Sequence, residues 1–434
     1  MRNYDVAIIG AGPAGSAASI LLARLGYAVA LLDRARFPRD KVCGDYLTPG
    51  AVGLLRDEIG VLPALVDAGA AHVDRQSVVD QRGRSFTSSV NALSCPRRIT
   101  DAVLVDAARS AGADVIEDFT VRDILFDGNR VAGVIGDQSG PDSSASRFGK
   151  GGEELAGMGL RARVTIGADG THSLLARRLG VVRPIPRLHR LALSAYFTGD
   201  DPDLTMYLPV DGSLACCGFG PSTSAIGQKN GVDASVRFPQ DWGLGGGLRN
   251  VNIVVPVSEA GQIAGRREDY FRRRLEMSFP QAWSKLDRRR IDGPVRSTAC
   301  FGHRTTRAAF DGALLVGDAA VFIHPFTGEG VYYALEGARL AAVAIDRALR
   351  AGDTGYDRLC DYDHARRRVL LPRYRLCDAI QHIVHSPRLL SWLTPRLGRS
   401  PDLADAVLRA VGDIDTPSQL LRWVNFSKLC TLKT

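Results

Sequence analysis

Apolar residues follow two rhythms along this chain, and the switch between them is sharpest at its start. Asp5-Val6-Ala7-Ile8-Ile9 is a continuous apolar run that predicts a short buried strand. Gly10-Ala11-Gly12-Pro13-Ala14-Gly15 follows directly, and Ala14, Ala17, Ala18, Leu21, Leu22 and Leu25 then recur at helical spacing until Gly26. A second strand over 28–32 ends on Asp33. Leu54, Leu55, Ile59, Leu62 and Leu65 predict helix over 50–68, and alternation with turn residues predicts strands between Val73 and Ala92. Arg98-Ile99-Thr100-Asp101 opens a helix that Gly112 closes, with strands following at 114–116 and 131–134.

Residues 136–160, rich in Gly and Ser, predict a mobile hairpin tip without an element of its own. Order returns with a strand over 162–166 that ends in Gly167-Ala168-Asp169-Gly170. Strand-like segments at 191–198 and 250–257 predict a separate, substrate-side sheet across 185–300. A buried strand over 313–316 leads into Gly317-Asp318, and a long helix is predicted for about 331–349. The remainder is helical and basic, with Pro372, Pro387, Pro395 and Pro401 as expected breaks.

Strand, glycine turn, helix, strand and acid form a complete dinucleotide-binding context. Gly10 permits the tight turn, Gly12 clears the approach of a pyrophosphate, and Gly15 lets helix and strand pack closely. Pro13 suits the first helical turn, where its missing N–H costs nothing. The free amides and positive dipole end of the helix then hold the pyrophosphate. Asp33 can accept hydrogen bonds from both hydroxyls of an adenosine ribose and would repel a 2′-phosphate, which points to FAD or NAD rather than NADP.

Composition narrows the remaining classes. At 434 residues, with 45% hydrophobic and 24% charged, the chain can bury a large core and is not disordered. Its eight cysteines include no CxxC pair and no metal-ligand spacing with histidine, so no metal is expected and reduced thiols in a cytoplasm are the simplest reading. No signal peptide precedes the first strand, and no apolar run reaches bilayer-spanning length. The formal charge of +8 is mild, and without a reading motif it gives no support for nucleic acid. Leu389, Leu390, Trp392, Leu393 and Leu397 lie among Arg388, Arg396 and Arg399. That composition serves either as a lid over a cavity, the plainer use, or as a peripheral contact with a lipid surface.

Three separated motifs stand together: the N-terminal glycine loop, Gly167-Ala168-Asp169-Gly170, and Gly317-Asp318 with Pro325-Phe326-Thr327-Gly328-Glu329-Gly330. The trio resembles the FAD signature of the para-hydroxybenzoate hydroxylase fold, shared by aromatic hydroxylases, flavin-dependent halogenases and geranylgeranyl reductases. Phe37-Pro38-Arg39 leading to Lys41-Val42-Cys43-Gly44-Asp45, the Arg98-x-x-Asp101-x-x-Leu104 helix start, and Thr327-Gly328-Glu329-Gly330-Val331-Tyr332-Tyr333-Ala334-Leu335 resemble the geranylgeranyl reductase family in particular. The likeness spans roughly residues 4–395 and thins between about 200 and 250.

The resemblance implies an α/β chain: a Rossmann-like FAD-binding domain, an interleaved mixed β-sheet substrate domain and a C-terminal helical region. The expected division is 1–70, 96–184 and 295–350 for FAD, 71–95 and 185–294 for the substrate-side sheet, and 351–434 for the helices. The implied cofactor site comprises Gly10, Gly12, Pro13, Ala14, Gly15, Asp33, Arg34, Lys41, Cys43, Gly44, Arg98, Asp169, Gly317, Asp318, Pro325, Thr327, Gly328, Glu329, Gly330 and Val331. Arg98 would pair with the pyrophosphate or ring edge, and Asp318 would bond ribityl or ribose hydroxyls. The Gly328–Gly330 backbone would lie against the flavin ring, with the helix dipole behind it stabilising the reduced cofactor's negative charge. Cys43 and His324 are the catalytic candidates, against the plainer readings of a buried thiol and a structural histidine.

The middle departs from the family pattern of an aromatic wall opposite the flavin. Here it reads Tyr207-Leu208-Pro209-Val210-Asp211-Gly212, then Cys216-Cys217-Gly218-Phe219-Gly220, with Phe238-Pro239 and Trp242 later. Asn250-Val251-Asn252-Ile253 is the segment that can recover the pattern. The leading expectation is an FAD-dependent oxidoreductase acting on a carbon–carbon bond of a small apolar, isoprenoid-like or secondary-metabolite substrate. A flavin-hydroperoxide monooxygenase and a redox-neutral flavin binder are the alternatives. Halogenation is disfavoured because the four tryptophans are far apart and form no Trp-x-Trp-x-Ile-Pro element. With no second dinucleotide fingerprint, electrons are expected from an external donor: NAD(P)H, a flavin reductase or ferredoxin.

Overall fold

The computed structural model of the chain describes residues 2–138, 158–198, 203–211, 213, 215–223, 248–286, 291–323, 328–384 and 386–423. Two sheets organise them. The first contains the glycine loop. Its strands Ala313–Leu315, Met158–Gly167, Arg2–Ile9, Val29–Leu32 and Asp114–Ile116 lie side by side and parallel in that order. Parallel strands need crossovers that cover both faces, and they accordingly read as continuous apolar runs. Val6, Ala7, Ile8, Leu31, Leu32 and Val164 are completely or almost completely buried. Arg130–Gln138 joins antiparallel to Met158–Gly167 and pairs in turn with Phe119–Asp127, a strand the periodicity did not reveal. The glycine-loop helix Pro13–Arg24 packs between the helices Arg97–Ser110 and Gly330–Arg350.

The second sheet has nine strands, with Val182–Thr198 paired antiparallel to both Leu248–Pro256 and Ile291–Thr305. Alternate residues on a strand face opposite ways. Leu193, Ala195, Phe197, Val251, Ile253 and Val255 enter one core beneath the helices Arg267–Ser278 and Pro280–Ser284, where Phe197 stacks on Phe271 at 6.5 Å. Ala192 and Val254 belong to the other face, which also carries Ser194, Tyr196, Asn250 and Asn252. Tyr207 and Cys217 belong to the first core, so they give no aromatic wall on the second face. Phe238, Pro239 and Trp242 lie outside the described residues.

Two sequence expectations change. The flanks of the expected hairpin tip are strands, to Gln138 and from Met158, because cross-strand pairing supplies the order that composition lacks. The stretch 139–157 lies outside the described residues. Pro372 and Pro395 do not break helices but lie inside Tyr356–Val384 and Pro387–Arg399. Buried Leu370, Tyr374 and Cys377 offset the roughly 3 kcal/mol that an interior proline costs. Pro387 and Pro401 begin helices, where proline is tolerated. The helix Pro387–Arg399 turns Leu390 and Leu397 onto the second sheet and leaves Leu389 and Trp392 exposed. Among the described residues, no helix is long and apolar enough to cross a membrane.

Candidate cofactor and active site

At the carboxyl ends of the parallel strands the chain brings its beginning and its later motifs into contact. Gly10 turns at φ +98°, and a Cβ there would stand 2.6 Å from the carbonyl oxygen of Ala168. A Cβ on Gly15 would stand 1.8 Å from the oxygen of Gly10, so neither position admits a side chain. Pro13 opens the helix and Ala14 is buried, with Gly317 packed against it. Asp33 holds the loop from below: Oδ2 accepts from the Ala11 amide at 2.8 Å and Oδ1 from the Ala35 amide at 2.9 Å. Arg34 is exposed beside it.

Gly12 faces an open cradle whose far side is cationic. A Cβ there would lie 3.7 Å from Arg97 Nη2 and 4.0 Å from Arg39 Nη2. Both guanidinium groups are held by Asp101, whose side chain is fully buried. Arg97 donates Nε and Nη2 to its two oxygens at 2.7 and 2.9 Å, and Arg39 Nη1 approaches to 3.2 Å. Arg39 Nη2 also lies 3.9 Å from Asp33 Oδ2, so the two guanidinium groups are fixed by Asp101 and Asp33 beside the helix start. Lys41 adds a third cation, and burial with the neighbouring Arg97 and Arg39 lowers its ammonium below its ordinary range. A pyrophosphate fits this donor set, so the residues present suit FAD.

Arg98, expected at the pyrophosphate or the ring edge, stands 4.0 Å from Asp40 at a cavity also lined by Lys41, Val42, Pro96, Ser194, Tyr196 and Arg296. Adjacent residues on a helix point about 100° apart, so only one of the pair can reach Gly12, and Arg97 is that residue. Arg97 also donates to Cys43. Burial pushes the Cys43 thiol up while Arg97 pulls it down, and the net shift is upward, which keeps the sulfur protonated at neutral pH.

Asp318 faces Arg97, Lys41 and His303, and burial raises its carboxyl against their pull. Asp169 braces the turn under the loop, accepting from the Leu174 amide at 2.7 Å. Gly328 turns at φ +75° against the Tyr46 ring, Gly330 begins the long helix, and Val331 is buried behind it. The Glu329 side chain turns inward to Cys377 at 2.5 Å. His324, Pro325 and Thr327 lie outside the described residues.

A polar network missed in the sequence reading joins the Cys43–Asp45 loop to the second sheet. Asp45, buried and at φ +58°, accepts from the Tyr196 hydroxyl at 2.7 Å and from Asn250 Nδ2. Asn250 Nδ2 also donates to the Cys43 carbonyl at 3.1 Å, while Ser194 and Asn252 donate to Asn250 Oδ1. Gly44 lies in the same contact, its Cβ position 3.7 Å from Asn252 Nδ2. Two asparagines alternating within an apolar strand were the available signal.

Comparison with known proteins agrees with this geometry. A family model described as an FAD binding domain matches residues 3–371. The chain belongs to that family. It is an FAD-dependent oxidoreductase, similar to geranylgeranyl reductases. It is 29% identical to conditioned medium factor receptor 1 of Dictyostelium discoideum, covering 83% of this chain and 66% of that protein. It is 30% identical to menaquinone reductase of Mycobacterium tuberculosis (79% of this chain, 77% of that one). It is also 30% identical to a digeranylgeranylglycerophospholipid reductase of Methanopyrus kandleri (81% and 83%).

Solved structures of similar fold include a flavin-dependent brominase (TM-score 0.75, 20% identical, 98% of this chain and 99% of that one). Another is a geranylgeranyl bacteriochlorophyll reductase-like protein of Thermoplasma acidophilum (TM-score 0.74, 19% identical, 99% and 100%). These two likenesses concern the fold alone.

Proposed function

We propose that this flavoprotein adds hydrogen to, or withdraws it from, a carbon–carbon bond of an apolar substrate, either isoprenoid-like or a secondary metabolite. The observation that carries the reading is the place of Cys43, whose carbonyl Asn250 Nδ2 ties at 3.1 Å to the polar side of the second sheet and whose thiol burial pushes above its ordinary range. FAD supplies a two-electron hydride centre at N5 when bound. Asp101 orients Arg97 and Arg39, and with Lys41 they would hold the coenzyme's pyrophosphate. Asp318 would accept from ribityl or ribose hydroxyls of the coenzyme. Cys43 Sγ–H donates the proton that must reach the second carbon during reduction, while Arg97 steadies the resulting thiolate.

Relatives named as reductases at 30% identity support the reductive direction. The expected electron source is external: NAD(P)H, a flavin reductase or ferredoxin. Exposed Leu389 and Trp392, with exposed Arg388 and Arg399 near them, would let the enzyme meet a lipid-borne substrate at a membrane surface. Co-sedimentation with anionic vesicles at low salt tests that contact, and no binding would remove it.

Anaerobic reduction followed by addition of a polyprenyl substrate tests the reaction. Reoxidation of the flavin by the substrate, with a saturated product, is expected. Inertness to such substrates, together with reaction through a long-lived absorbing species on admission of oxygen, would place the enzyme with oxygen-using flavoproteins instead.

A further inference from the structure

Glu329 lies in the turn that the family resemblance sets against the flavin ring, yet its side chain points away from the cradle. It meets a second buried acid from a distant part of the chain. Asp413 follows the helix Pro401–Val411, its side chain has no exposed surface, and it hydrogen-bonds Glu329. Arg373 Nη1 donates to Asp413 Oδ1 at 2.9 Å, and Thr48 Oγ1 donates to Oδ2 at 3.0 Å. Cys377 donates to Glu329, and the Tyr333 hydroxyl lies 3.3 Å from the Cys377 sulfur. Tyr46 and Tyr332 are the other titratable groups facing the pair, with Glu336 and Arg339 further along the long helix.

The helix end that carries Asp413 fixes its place: Asp413 adopts φ +64° as the left-handed residue closing Pro401–Val411, and the Ile414 amide donates to the Arg409 carbonyl at 3.0 Å. Gly50 is pressed against it: the Gly50 amide donates to the Gly412 carbonyl at 3.0 Å, and a Cβ on Gly50 would stand 2.5 Å from that of Asp413. Two buried carboxylates within hydrogen-bonding distance cannot both ionise beside one adjoining guanidinium, so a proton belongs to the pair.

We propose that Asp413 is a positioning residue of the cofactor site. By sharing one proton with Glu329 it ties the C-terminal helices to the Gly328–Gly330 turn, so that those helices and the bound coenzyme hold one another in place. The inference rests on FAD occupying the cradle with its ring at that turn. Burial, the Glu329 charge and the Glu329 hydrogen bond hold the Asp413 carboxyl well above its usual range. The sign follows: the latch is intact at low pH and is lost as pH rises through the pair's elevated titration, when two negative charges oppose Arg373 alone.

FAD affinity, measured by quenching of flavin fluorescence in full-length apoprotein between about pH 6 and pH 9, tests this. Wild-type affinity is expected to fall with alkalinity. Asp413→Asn, which removes one charge, keeps an oxygen for Arg373 and offers Glu329 a donor, should bind close to wild type at the acid end and lose that fall. Asp413→Ala should bind about tenfold more weakly at the acid end, the scale of one charge-assisted hydrogen bond, and converge on wild type as pH rises. Far-UV circular dichroism confirms folding of each variant. Equal affinities for wild type and Asp413→Ala at the acid end would overturn the proposal. If the alanine variant does not fold, an unchanged pH dependence in Asp413→Asn would overturn it. Failure of the wild type itself to bind FAD would instead sink the cofactor assignment.

Discussion

Asp101 and Arg97 form a two-point contact, Nε to Oδ1 at 2.7 Å and Nη2 to Oδ2 at 2.9 Å, with no part of the carboxylate exposed. The contact converts a flexible side chain into a fixed donor above Gly12. It also places a second arginine, Arg39, on the same anchor.

Asp101→Asn should accordingly damage both stability and binding. Breaking a buried ion pair by removing one partner costs about 3–5 kcal/mol, because the guanidinium is left in place without its counter-charge. Urea midpoints of the apoprotein should fall accordingly, and fluorescence titration should show weaker FAD uptake. An unchanged midpoint would mean that water serves Arg97 as well as Asp101 does.

Gly15→Ala isolates the close approach of helix and strand. The new methyl would lie 1.8 Å from the Gly10 carbonyl, so the loop must move, at a cost of about 1–3 kcal/mol. Purified variant protein should be folded by circular dichroism yet pale, with a reduced ratio of flavin to protein absorbance. A fully yellow protein would show that the loop tolerates the shift.

Cys43 provides a pH-dependent prediction. Its thiol lies above the ordinary range, so the thiolate should be scarce at neutral pH and appear only as pH rises beyond that range. Peptide mapping after iodoacetamide treatment of the apoprotein should show slow alkylation at about pH 7 and acceleration above about pH 9. Arg97→Met should push the onset higher still. Fast alkylation at neutral pH would contradict a proton-donating role. Cys43→Ser should retain FAD while slowing turnover.

Tyr196→Phe removes a donor from buried Asp45 and leaves Asn250 to hold it. The expected loss is about 1–3 kcal/mol in urea unfolding, the cost of a buried polar group short of a partner. Asn250→Ala should cost more, since it cuts contacts to both Asp45 and the Cys43 carbonyl. Equal, negligible losses would show that the loop and sheet are held by apolar packing alone.

Legibility followed the range of the forces involved. Gly10, Gly12, Gly15 and Asp33 lie within one strand-turn-helix-strand unit, where local backbone geometry dictates residue type. Arg97 and Arg98 are neighbours of identical chemistry, and only the angle of the helix they begin decides which one reaches the cradle. Pro372 reads as a break from local rules, but the helix continues because its buried side chains are packed on both sides of it.

The sequence by itself determined that a dinucleotide loop opens this chain, since short apolar runs and glycine spacing are local constraints, and the resemblance carried by three separated motifs implied that the dinucleotide is FAD. The sequence also separated an apolar parallel sheet from an alternating one. Tertiary structure alone decided that Arg97 and Arg39 share Asp101, that Tyr196 and Asn250 grip Asp45, and that Glu329 meets Asp413. Those pairings join residues from different elements, and a hydrogen bond or shared proton forms only when packing has brought its partners to within about 3 Å.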